Sequence, residues 1–177
     1  DPFDTSHNGM MPSRKSDIVT VSNSDPKYST TKAISGNPYI VNGPGEYEIG
    51  QYYITGIATP LTESTSEDPK INVIYTIRAE GLVICQLGGI NQKLTSGQLD
   101  QLRQANILLA PIAKSSSLAH ETLQEIISAI QPRILIPLEY IEENHDGTPT
   151  GLETFLTNTG TTDTIGINRL NIDQTKL

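Results

Sequence analysis

The chain has 177 residues, 36% of them hydrophobic and 18% charged, enough for one domain with a substantial core. The formal net charge of −8 opposes a nucleic-acid partner, whose phosphates call for clustered Lys and Arg, and no basic cluster with interleaved aromatics offsets it. No apolar run reaches membrane-spanning length and no signal-peptide pattern is present, so membrane and secretory readings are set aside.

Residues 1–16, rich in polar residues, Gly and Pro, read as loop, and residues 17–21 read as a buried strand. Residues 28–35 read as a short helix closed by Gly36, and 38–41 as a strand. Asn42-Gly43-Pro44-Gly45 is a turn, followed by a hairpin of 46–49 and 52–57 about Gly50-Gln51. Residues 59–69 read as a mobile loop bearing Glu63, Glu67 and Asp68, a solvated acidic face. Strands at 71–77 and 82–87 are joined near Glu80-Gly81. Cys85 lies within the second of these; it reads as a small buried hydrophobe rather than a reactive thiol, and a lone cysteine fits a cytoplasmic location.

The second half alternates helix with strand. Thr95 and Gln98 form a capping box, with Leu94 and Leu99 as its hydrophobic staple. A strand at 107–110 precedes a helix capped by Ser117, with Ala119, Leu123, Ile126, Ile127 and Ile130 on its apolar face and a stop before Pro132. A strand at 134–136 follows, then a helix opened by Thr150 and Glu153 and closed by Gly160, then a weak strand at 165–172. Strands first and alternation later imply layered sheets covered by helices in one domain spanning 1–177.

Several peptides, in this order, resemble the metallo-β-lactamase superfamily, nearest the small zinc-dependent hydrolases related to ascorbate-phosphate lactonases. They are Asp1-Pro2-Phe3, Asp17-Ile18-Val19-Thr20-Val21-Ser22, Gly36-Asn37-Pro38, Gly43-Pro44-Gly45-Glu46-Tyr47, Ile54-Thr55-Gly56-Ile57, Ile84-Cys85-Gln86-Leu87-Gly88, Leu94-Thr95 with Gln98-Leu99, and Ile136-Pro137-Leu138-Glu139-Tyr140. The resemblance implies an α+β fold, the αββα sandwich. It also implies strands ahead of Asp1-Pro2-Phe3, so the expectation is that these lie on a missing or separate piece. An exposed sheet edge would then be open to a protein partner or to self-association.

The same resemblance implies a Ser-His-x-His-x-Asp-His metal motif after the first core strand. Aligned on Ser22, its histidine positions hold Asn23, Asp25 and Tyr28, and its aspartate position holds Lys27. The family's metal-bridging aspartate falls on Gly89 and its late histidine on Glu139. No His occurs between residues 8 and 119, where a further ligand often follows Thr-Gly-Ile. Zinc is held mainly by imidazole or thiolate, so the expectation is a site with no metal, no cofactor and no catalytic residue, in a chain that acts as a structural or binding component. A hydrolase of a phosphorylated sugar or lactone, using altered metal or nonmetal chemistry, is the competing reading.

Other residues carry paired readings. Asp25, Lys27 and Glu139 form either an internal ion-pair cluster or three solvated cleft residues. Asp25, Glu139, Asn23 and Gln86 offer oxygens for Mg²⁺ or Ca²⁺, but two carboxylates beside a lysine make a poor cage. Gln86 and Tyr140 are expected in the cleft, which would take a small molecule or a protein segment. His7, His120 and His145 have no ligand spacing and read as solvated surface residues. Ser115, Ser116 and Ser117 lack a nucleophile elbow, and Gly43-Pro44-Gly45 and Gly88-Gly89 are tight turns rather than phosphate loops.

Overall fold

The computed structural model describes residues 1–3, 13–112, 118–140, 151–161 and 166–177, the Lys27 side chain excepted. Strand β1 (Arg14–Lys15) pairs in parallel with β3 (Ile34–Ser35), and β2 (Ile18–Thr20) in parallel with β4 (Tyr39–Val41). Helix α1 (Pro26–Ser29) and a 3-10 turn (Thr31–Ala33) lie between β2 and β3. A six-stranded sheet then forms from β5 (Gly45–Ile49), β6 (Tyr52–Pro60), β7 (Ile71–Ala79), β8 (Leu82–Gln86), β9 (Ile107–Pro111) and β10 (Ile134–Leu138), in the order β10-β9-β8-β7-β6-β5. The β5–β8 part is an antiparallel meander. The two parallel pairs, β8 with β9 and β9 with β10, are bridged by α2 (Ser96–Leu102) and α3 (His120–Ile130), and α4 (Gly151–Asn158) follows.

Local chemistry explains these elements. Glu80 (φ 49°) and Gly81 (φ 77°) both adopt the left-handed conformation that a two-residue hairpin turn requires. Thr95 and Gln98 make the reciprocal capping box, and the Gln98 amide also donates to Ala58 O at 2.9 Å, fastening α2 to β6. Leu94 and Leu99 both pack into the helix-side core. Helix α3 ends as Gln131 turns left-handed (φ 52°), one residue before Pro132.

Side chains alternate between two cores, as the period of a strand demands. Ile57, Ile74, Cys85, Leu87, Leu108 and Ala110 face the helices, where Leu102, Leu123, Ile126, Ile130 and Phe155 meet them. Val41, Ile54, Val73 and Tyr75 form the smaller core on the opposite face, where β4 lies against the sheet. The mixed α+β architecture is thus as expected, with helices on one face and further strands on the other.

Four expected elements differ. The helix expected at 28–35 divides into α1 and the 3-10 turn, and the chain is extended from Ile34, where pairing with β1 takes over from weak helix propensity at Thr30, Thr31 and Ile34. Gly36 (φ 98°) therefore turns β3 toward β4 instead of capping a helix. Helix α3 has Ala119 at its cap without a side-chain hydrogen bond, while Ser115, Ser116 and Ser117 lie outside the described residues. Thr150 also lies outside them, though Gly160 (φ 70°) does follow α4. No strand forms among residues 166–172: Ile167 and Leu170 are exposed, and no described strand offers them a ladder. Residues Gln174–Lys176 instead make a 3-10 turn that reaches Gly81 O through the Gln174 amide at 2.8 Å.

The loop after β6 is tied at its base by Leu61 N–H to Lys70 O at 3.0 Å, and strand β6 reaches Pro60. Among the described residues no helix is long and apolar enough to cross a membrane.

Tyr75, fully buried, joins the layers. Its hydroxyl donates toward Val21 O and Val41 O, each at 3.1 Å. Tyr75→Phe should lower unfolding stability by about 1–3 kcal/mol in denaturant titrations, since it strips a side-chain donor from two buried carbonyls.

Candidate functional site

The candidate site lies where β2, β8 and β10 end. Past Thr20 the chain keeps one more ladder bond, Val21 N–H to Val41 O at 2.9 Å, and then enters buried Ser22. Ser22 is clamped on both sides: its N–H donates to Asp1 Oδ1 at 2.6 Å and its carbonyl accepts from Val73 N–H at 2.7 Å. The second Asp1 oxygen accepts from the Gln86 amide at 2.7 Å, and Gln86 Oε1 accepts from Thr20 Oγ1 at 3.2 Å. One carboxylate thus ties the end of β2 to the end of β8. Charge-assisted bonds of this kind are stronger than neutral ones.

Asn23 opens the following turn by accepting Asp25 N–H on its side-chain oxygen at 2.9 Å, an Asx turn. Helix α1 starts at once, with Tyr28 N–H bonded to Asp25 O at 2.8 Å. This helix delivers the Tyr28 ring onto Gly89. A Cβ built on Gly89 would stand 2.8–2.9 Å from ring and hydroxyl atoms of Tyr28, far inside contact distance. The Tyr28 hydroxyl hydrogen-bonds Glu139, which follows β10 in a left-handed conformation (φ 58°). Burial first, then the neighbouring negative charge of Glu139, raises the Tyr28 phenol above its ordinary range and keeps it protonated as a donor.

Asn23, Asp25, Tyr28, Gly89, Glu139 and Gln86 therefore gather around the strand ends. Tyr140 turns the other way and packs against the helix-side core. Asp25 is exposed and engaged with a partner; whether Lys27 belongs to that cluster lies outside the described residues. The oxygens considered for Mg²⁺ or Ca²⁺ are partly committed, Asn23 to its turn and Gln86 to Asp1 and Thr20. Among the described residues no three His, Cys, Asp or Glu side chains group as metal ligands.

Sequence reasoning did not assign the clamp of Asp1 and Ser22, nor the role of Asn72. Asn72 is fully buried in β7, its amide donating to Thr59 Oγ1 at 3.2 Å and Leu87 O at 2.9 Å. An amide inside the apolar stretch Ile71-Asn72-Val73-Ile74 was the available signal, because buried polar groups seek partners. Asn72 Oδ1 and Ser22 Oγ abut Gly88 and have no hydrogen-bond partner among the described residues.

The remaining candidates are placed elsewhere. His120 is half-buried between α3 and α4, its Nε2 3.2 Å from Gln124 Nε2 and 3.0 Å from Asn158 Nδ2, so it is a packing residue rather than a solvated one. His7 and His145 lie outside the described residues. Cys85 is fully buried, and burial pushes its thiol up to about 12. Glu63 accepts from the Asn91 amide at 3.0 Å, which fixes the acidic loop to the chain after β8.

Residues 1–139 match a family model described as a beta-lactamase superfamily domain. The chain belongs to the metallo-β-lactamase superfamily. Among solved structures, it is similar to a candidate Zn-dependent hydrolase of the superfamily from Thermotoga maritima, at 22% identity and a TM-score of 0.69 over 89% of this chain and 74% of that one. A candidate metal-dependent hydrolase from Parabacteroides distasonis gives 15% identity and a TM-score of 0.58 over 85% and 74% of the two chains. At these identities the likeness concerns the fold. No curated protein matches the chain.

In this superfamily member Gly88 has a left-handed φ of 63°, and a Cβ there would come within 2.5 Å of Asn72 Oδ1 and Ser22 Cβ. Gly88→Ala should cost at least ~2 kcal/mol of stability, from left-handed strain and overpacking together, read as a lowered unfolding midpoint.

Proposed function

We propose that this chain is a metal-free member of its superfamily that works as a structural or binding component rather than as a hydrolase. The observation that carries the reading is the Tyr28 ring seated against Gly89. By the resemblance, Gly89 holds the position of the metal-bridging aspartate and Tyr28 that of the motif's last histidine. The space in which a carboxylate at residue 89 would begin is taken by the phenol.

The donor chemistry supports the same reading. Zinc favours imidazole and thiolate, with carboxylate as a supplement. The positions that would supply imidazole hold an amide engaged in a turn (Asn23), an exposed carboxylate (Asp25), a phenol kept protonated (Tyr28) and a carboxylate accepting that phenol (Glu139). These residues do not fit a hydrolytic zinc, whose role would be to acidify water and polarise a carbonyl or phosphoryl group. In this reading the cleft beside Asn23, Asp25 and Glu139 takes a small molecule or a protein segment, nucleic acid is not a partner, and the setting is cytoplasmic.

Purified protein exposed to excess zinc or manganese and then dialysed should retain far less than one equivalent of metal per chain by elemental analysis. Near-stoichiometric metal that disappears in Asp25→Ala or Glu139→Gln would overturn the proposal in favour of a hydrolase with altered ligands. A second outcome concerns the phenol itself. Gly89→Asp should destabilise the fold by about 1–3 kcal/mol, and Tyr28→Ala in the same chain should recover part of that loss, giving a coupling of about 0.5–3 kcal/mol in a double-mutant cycle. Independent, additive effects would show that the ring does not occupy the carboxylate's place.

A further inference from the structure

The helix layer does not reach the β5 end of the six-stranded sheet. The strand period sets Ile57 of β6, Ile74 of β7 and Cys85 of β8 in the helix-side core. The next positions on that face of β6 are Thr55 and Tyr53, which leave the core, and Tyr53 is 54% exposed. The register places Thr55 opposite Glu46, and Tyr53 between Glu48 and Arg78. Arg78 donates to Gln104 Oε1 at 2.6 Å, just past the end of α2, which marks the border of the helix layer. Beyond that border lies an open groove of about 630 Å³, lined by Glu46, Glu48, Tyr53, Thr55 and Arg78 among others. The Glu46 and Glu48 side chains are exposed and make no ion pair or hydrogen bond among the described residues.

The same strand, β5, ends the sheet. The two-residue loop Gly50-Gln51 makes Ile49 and Tyr52 a hydrogen-bonded pair, so Tyr47 with Ile54 and Gly45 with Gly56 are bonded pairs too. The N–H and C=O of Glu46 and Glu48 therefore point off the sheet, and no described strand pairs with them. Alternation puts both glutamate side chains on the groove face. It puts Tyr47 and Ile49 on the other face, half-buried against the small core. A strand laid against β5 would meet two carboxylates on one side and the rim of an apolar core on the other.

We propose that β5 receives an extended segment of a partner protein as an added strand, with Lys or Arg at alternate positions opposite Glu46 and Glu48 and aliphatic residues between them beside Tyr47 and Ile49. A basic side chain opposite Glu48 is long enough to extend across it to the exposed Tyr53 ring, where a cation is attracted to the aromatic face. A second copy does not fit, because two β5 strands paired edge to edge set glutamate against glutamate. The chain's own stretches outside the described set do not fit either: 4–12, 113–117, 141–150 and 162–165 together hold one Lys or Arg, Lys114. Glutamates on this edge thus act as a filter that turns away copies of the chain and acidic segments and admits a basic one. The net charge of −8 speeds that encounter. The inference is independent of whether the cleft holds a metal.

The test titrates the full chain, followed by NMR, with two short peptides of equal charge: one alternates lysine with valine, the other carries its lysines and valines in separate blocks. The alternating peptide should bind saturably and at least ~10-fold tighter than the block peptide, and shift the Tyr53 ring resonances. It should also slow amide exchange at Glu46 and Glu48 at least ~10-fold. Glu46→Lys combined with Glu48→Lys, at exposed positions, should weaken its binding at least ~10-fold while far-UV circular dichroism stays unchanged. No saturable binding would overturn the proposal. Equal binding of the two peptides would overturn it too, by reducing the attraction to net charge. Binding without protection of the Glu46 and Glu48 amides would overturn strand addition. A peptide-free dimer by light scattering, with those two amides already protected, would overturn the proposal by assigning the edge to a second copy.

Discussion

The second layer of this molecule depends on one buried hydroxyl. Tyr75 Oη reaches Val21 O and Val41 O, the carbonyls at which two parallel strands run out of ladder. A phenylalanine of the same shape would fill the space but would not fix the height or register of β2 over the large sheet. Burial raises the phenol's pKa, so the proton that makes these bonds is held. Everything downstream on β2 inherits this placement. Ser22 arrives where Asp1 and Val73 can clamp it, and the Asn23 turn then starts at the ends of β7 and β8.

The turn's short helix determines what the site can be. A side chain arriving from α1 and one rising from Gly89 compete for the same volume, and here the aromatic ring has it. Packing density leaves no room for both. The ring's hydroxyl then needs an acceptor, and Glu139 supplies one from the end of β10. A cluster of ligands around a cation would hold the three strand ends together through the metal. In this chain a phenol and a carboxylate join two of them directly, and the Asp1 carboxylate joins β2 to β8. The site's framework is thus tied together by hydrogen bonds among its own side chains.

Much of the fold was legible because its signals are local. The Thr95 and Gln98 box, the Glu80-Gly81 turn and the stop before Pro132 each depend on residues within a few positions of one another. The stretch 28–35 was misread because Thr30, Thr31 and Ile34 suit a strand as well as a helix, and the deciding partner, β1, is a two-residue strand with no pattern of its own. The weak apolar run expected at 165–172 forms no strand among its described residues, 166–172, for the opposite reason: periodicity without a neighbouring edge specifies nothing. At the site, the candidate positions could be named from the sequence, but the contact between Tyr28 and Gly89 could not. Glycine reads as a turn, and only the approach of a ring from a distant helix shows why no Cβ fits. Asp1 was visible only as part of a matching peptide; its job as a double acceptor required the ends of β2 and β8 to be in place.

The hydrogen bonding of the cleft limits what any ligand there could gain. The polar groups of the cleft are already hydrogen-bonded, so a ligand there must compete with Asn23, Gln86 and Tyr28 for partners they have. Displacing satisfied groups gains little free energy, because each bond made replaces one broken.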